Sequence, residues 1–70
     1  MSDIYVVLHR PDDEVKVLII EHNGERMEIA SANHDEHGWA GMSILDDVAR
    51  ELAAYLGTYV RDEEGEDYEY

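Results

Sequence analysis

In residues 43–57, SILDDVARELAAYLG, apolar side chains recur at helical spacing, and no other stretch of the chain reads so plainly as an amphipathic helix. Leu45, Val48, Leu52 and Tyr55 with Leu56 form one stripe, and Asp46, Asp47, Arg50 and Glu51 fall on the opposite side. Ser43 is the expected N-cap, with Asp46 three residues on and Asp46 and Asp47 in the positively polarised first turn. Gly57 is the expected C-cap. A helix with one apolar stripe must lie on something, and the residues before it supply a sheet.

Residues 3–10, DIYVVLHR, are rich in β-branched and aromatic side chains and predict a first strand, which Pro11-Asp12-Asp13 ends with turn chemistry. Residues 14–22, EVKVLIIEH, predict a second strand. Asn23-Gly24 then favours a type I′ hairpin leading into a third, residues 25–32. In that third strand Met27 and Ile29 alternate with Arg26 and Glu28, which predicts an inward face carrying the two apolar residues. In the first two strands both faces carry apolar residues. One helix covers one face, so some apolar surface is expected on the other, to be covered by the C-terminal segment, a second copy of the chain or a target.

Thr58-Tyr59-Val60 has strand-like composition and can return as a short fourth strand. Residues 33–42, NHDEHGWAGM, read as a loop with Trp39 anchored against the edge of the core. The expected architecture is α+β: a three-stranded antiparallel meander, with room for a fourth strand, packed on one long helix. Residues 1–60 are expected to form a single acidic β-β-β-α domain, and residues 61–70, RDEEGEDYEY, a flexible acidic tail.

Seventy residues without cysteine leave neither a disulfide framework nor a thiolate metal site to stabilise so small a domain. The core must do so. The start of the chain lacks the basic residues of a secretory signal and no apolar run reaches bilayer length, so a cytoplasmic location is expected. Against five Lys and Arg stand 18 Asp and Glu, a formal net charge of −13. That balance disfavours direct contact with nucleic acid or an anionic membrane and favours a basic partner. Because 44% of the residues are hydrophobic, the acid is carried on a folded body rather than a disordered chain.

Catalytic patterns are absent. No serine stands in a GxSxG context, no glycine-rich loop has P-loop spacing, and acid pairs such as Asp12/Asp13 and Asp46/Asp47 lie side by side, where adjacent helical residues do not face one another. No enzyme and no cofactor are expected. His34-Asp35-Glu36-His37 offers imidazole and carboxylate ligands of the kind divalent transition ions take, but His34 and His37 in a loop have no enforced geometry and only solvate as well. The acids themselves are the stronger pattern. Asp12, Asp13 and Glu14 stand in the first turn, Asp35 and Glu36 in the loop, Asp46, Asp47 and Glu51 along the helix, and Asp62, Glu63 and Glu64 in the tail. Helical residues four apart are separated by about 6 Å and alternate strand residues by roughly 6.6 Å. Both are commensurate with phosphates that advance about 3.4 Å per charge along a duplex strand.

In length, in acid distributed over a meander-plus-helix body and in lacking catalytic residues, the chain resembles the small DNA-mimic inhibitors of phages and mobile elements, especially anti-CRISPR and anti-restriction proteins. The likeness is one of layout over the whole chain and rests on no motif. It implies occlusion of a basic DNA-binding surface, such as that of a CRISPR effector of the Cascade or Cas nuclease type, in the cytoplasm of the host cell. Two other readings explain the same composition: a salt-adapted domain, since Lys16 is the only lysine, or an acidic protein-interaction module. A homodimer through the spare sheet face is compatible with all three.

Overall fold

In a computed structural model that describes residues 3–64, the chain forms β1 (Ile4–Asp12), β2 (Val15–His22), β3 (Glu25–Asn33), α1 (His34–Leu56) and β4 (Val60–Glu64). The four strands make one sheet in the order β3-β2-β1-β4, with β1, β2 and β3 antiparallel in sequence and β4 parallel to β1. The expected α+β architecture is present, including the fourth strand.

Local chemistry explains the turns. Asp12 Oδ1 accepts a hydrogen bond from the Glu14 N–H at 2.7 Å, closing the β1–β2 connection. Pro11, which has no N–H to give to a ladder, sits where the β1–β2 register shifts between His9 and Asp12. Asn23 and Gly24 both have positive φ, 54° and 85°, as a type I′ turn requires.

The core lies between one sheet face and the helix. Val6 and Leu8 of β1, Leu18 of β2 and Ala32 of β3 meet Met42, Leu45, Ala49 and Ala53, with Leu52, Leu56, Ile20 and Val60 at its margins. The buried helical stripe is therefore rotated from the expected one. Val48 and Tyr55 are exposed, and the alanines at 49 and 53 face the sheet, where small side chains let the helix approach closely. Met27 and Ile29, expected inward, are also exposed. Both lie on the outer strand: Met27 pairs with Ile20 on the core face but is left uncovered, Ile29 falls at the register shift opposite Leu18 and Ile19, and Ala30 and Ala32 supply the contacts to the core.

The far face of the sheet is not open apolar surface. Val7 points away from the helix, between Ile19 and Arg61 in the register, yet is fully buried. An ionic strap crosses it. Arg26 of β3 donates to Glu21 of β2 and reaches over the two central strands to Glu63 of β4, while Arg61 lies 3.6 Å from Glu21 and over the Tyr5 ring. The C-terminal segment thus supplies part of the cover, by ion pairing and by Tyr59, whose ring centroid lies 5.9 Å from that of Tyr5. Residues 61–64, expected in the tail, belong to the sheet because β1 offers them an unfilled edge on which to pair; residues 65–70 lie outside the described residues. Among the described residues no helix is long and apolar enough to cross a membrane.

Candidate functional site

The helix is capped ten residues before Ser43, at Asn33, and this shift assembles the candidate site. Asn33 is the N-cap: its side-chain oxygen accepts the Glu36 N–H at 2.8 Å, and Asp35 and Glu36 take the first turn. Ser43 is an exposed residue of the helix interior. At Gly38 the helix breaks, with φ 70° and ψ 177°, and resumes at once. The His34 N–H donates to the Glu14 carbonyl at 2.9 Å, which ties the first helical turn to the β1–β2 connection. Asp12, Asp13, Glu14, Asp35 and Glu36, separated by two strands in the chain, are all exposed and come to one pole of the molecule.

At this pole the ligand atoms of Glu14, His34 and Asp35 lie within 4.8 Å of one another. His37, the other histidine expected as a ligand, does not join them, since its Nδ1 accepts the Asn33 N–H at 3.2 Å. Nitrogen and carboxylate donors of this kind suit a divalent transition ion, but two of the three are exposed acids that water satisfies equally well.

The remaining acids have different fates. Asp46 is not a cap. It is half-buried and takes Lys16 Nζ on both carboxylate oxygens, at 2.9 and 2.8 Å, so its charge is spent within the fold. Asp47 pairs with Arg50 one helical turn on, in the open. Glu51 and Asp62 are exposed, and Glu64 ends β4. Glu63 is turned into the strap, paired with Arg26 and 3.7 Å from Nδ1 of the buried His9.

No family model, curated protein or solved structure matches this chain.

The Arg26 guanidinium, donating to both Glu63 oxygens, holds that carboxyl below its ordinary value of 4.5 against the opposing effect of burial. A depressed folded-state value means that the pair stabilises the protein above the ordinary carboxylate range, and that this contribution is lost as pH falls through the folded-state value. Urea unfolding followed from neutral to acidic pH is expected to show a decline that Glu63→Gln flattens, because the amide does not titrate. An identical acid limb in the variant would place the sensitivity on other carboxylates.

Two features escaped the sequence reading. Trp39 is 58% exposed rather than anchored in the core, and its ring rests on His34 with centroids 4.1 Å apart. The signal for the early helix start was present in Asn33 and Glu36, which have capping-box spacing, but Gly38 and Gly41 disguised the helical run that follows.

Proposed function

We propose that the protein is a non-enzymatic inhibitor that mimics nucleic acid, occluding the basic DNA-binding surface of a host defence complex, foremost a CRISPR effector, in the cytoplasm. One observation supports this above the others. Lys16, Arg26, Arg50 and Arg61 are each within ion-pair distance of the chain's own carboxylates. The acids of the pole are left to face solvent, with Glu51 and Asp62 beyond them. A surface of exposed carboxylates attracts Lys- and Arg-lined grooves over a Debye length of about 8–10 Å and repels nucleic acid itself.

Affinity capture from an extract of a CRISPR-bearing host tests the reading. The protein is expected to retain a DNA-binding complex, to release it to competing duplex DNA, and to bind less tightly as salt rises. Reversing Asp12 and Asp13 to lysine is expected to weaken capture about tenfold or more, since surface potential alone alters association rates by roughly 10–1000-fold. Reversing Asp47 and Glu51 is expected to do less, because Asp47 already shares its charge with Arg50. Capture insensitive to duplex DNA would instead make the chain an acidic module for some other basic protein. A domain that unfolds at low salt and captures nothing would be a salt-adapted one.

A further inference from the structure

Beside the acidic pole lies an open cleft of about 540 Å³ between the β1–β2 connection and the first half of the helix. Trp39 and Met42 supply apolar lining, Asp12 and Asp13 two exposed acids, and Arg10, Lys16, Pro11 and Ser43 complete it. We infer that this cleft seats an arginine side chain of the basic partner, a refinement that rests on the pole being the partner-facing surface.

The chemistry of the wall selects the occupant. Trp39 presents an indole that is more than half exposed and braced from behind by His34, so its plane is set before anything binds. A guanidinium is planar, weakly hydrated and rich in N–H donors, so it can stack on the indole and donate to carboxylates together. Its methylene stem suits the buried thioether of Met42. The cations in the lining do not reverse the sign of the cleft. Lys16 is held by both oxygens of Asp46, which offsets its charge, and Asp12 and Asp13 are then two acids against Arg10. Glu14, Asp35 and Glu36 stand at the same pole, so the surrounding field also draws a cation. An ammonium meets the same charges but lacks the flat face, and on this account lysine is the poorer fit.

Trp39 is the only tryptophan, so its emission reports on the cleft directly. A short oligo-arginine peptide is expected to change Trp39 fluorescence saturably, and to bind roughly two- to fivefold more tightly than an oligo-lysine peptide of equal length, the margin expected of an exposed cation–π contact. Measured by anisotropy of labelled peptides, Trp39→Ala is expected to abolish the arginine preference and Asp12→Asn with Asp13→Asn to weaken both peptides. The indole lies outside the core, and circular dichroism of each variant checks that the fold is intact. Equal binding of the two peptides, or an arginine preference that survives Trp39→Ala, would overturn the seat and leave the inhibitor reading standing. Quenching by inorganic phosphate in place of the peptides would also overturn it, making the cleft an anion site of Arg10 and Lys16. An arginine preference in a protein that captures no DNA-binding complex would sink the inhibitor reading and keep the seat.

Discussion

Leu18→Ala is expected to cost the protein roughly half of its stability. Leu18 is 1% exposed, lies between Leu8 and Ala30 in the two ladders that β2 makes, and packs beneath the helix. Removing a buried leucine side chain costs about 2–5 kcal/mol, more where the surroundings cannot collapse into the cavity. A domain of this length holds a total of about 4–10 kcal/mol. With no cysteine there is no cross-link to limit the loss. Urea unfolding followed by circular dichroism measures the change. Val48→Ala is the control: at 45% exposure it removes little buried area and is expected to cost less than about 1 kcal/mol. Equal costs at the two positions would mean that the helix packs on the stripe through Val48 and Tyr55, not the one through Ala49 and Ala53.

Gly38→Ala is expected to destabilise the protein by about 1–3 kcal/mol, through backbone conformation alone. An added Cβ meets nothing within 4 Å, so no clash confuses the measurement. The cost arises because φ 70° with ψ 177° is a region that only glycine occupies readily. The alternative open to the variant is to straighten the helix. That would turn His34–His37 relative to Trp39, disturbing the His34–Trp39 contact and the hydrogen bond from His34 to Glu14. A shifted Trp39 emission accompanied by lost stability is therefore the expected pair of results. A more stable variant with unchanged emission would show that the break is not what holds the pole together.

Much of the fold was legible in short stretches. Asn23-Gly24 adopts the positive φ values its side chains tolerate, and Gly57, at φ 74°, caps the helix by donating to the carbonyls of Ala53 and Ala54. The start of the helix was not legible, because Asn33 with Glu36 and Ser43 with Asp46 have the same capping spacing. The choice between them is settled by a remote partner, the Glu14 carbonyl, which receives the His34 N–H as β3 ends. The core stripe was misread for a related reason. Val48 and Tyr55 are more apolar than Ala49 and Ala53, but a helix lying close on a sheet buries the smaller side chains.

In the candidate site, the identity of the acids was plain and their roles were not. Asp46 and Asp47 are neighbours of identical chemistry, yet one is clamped by Lys16, thirty positions away, and the other shares its charge only with nearby Arg50. Glu63 and Asp62 divide in the same way, one drawn into the strap and the other exposed.

The sequence by itself determined the strand-turn-strand order, the end of the helix and the excess of negative charge, since backbone preference and formal charge are properties of a residue and its immediate neighbours. Only the tertiary structure decided which acids are spent and which are displayed, where the helix begins and how the far face is covered. Those outcomes depend on distances between residues far apart in the chain, Lys16 to Asp46, Glu14 to His34 and Arg26 to Glu63, which exist only once the sheet and helix have packed.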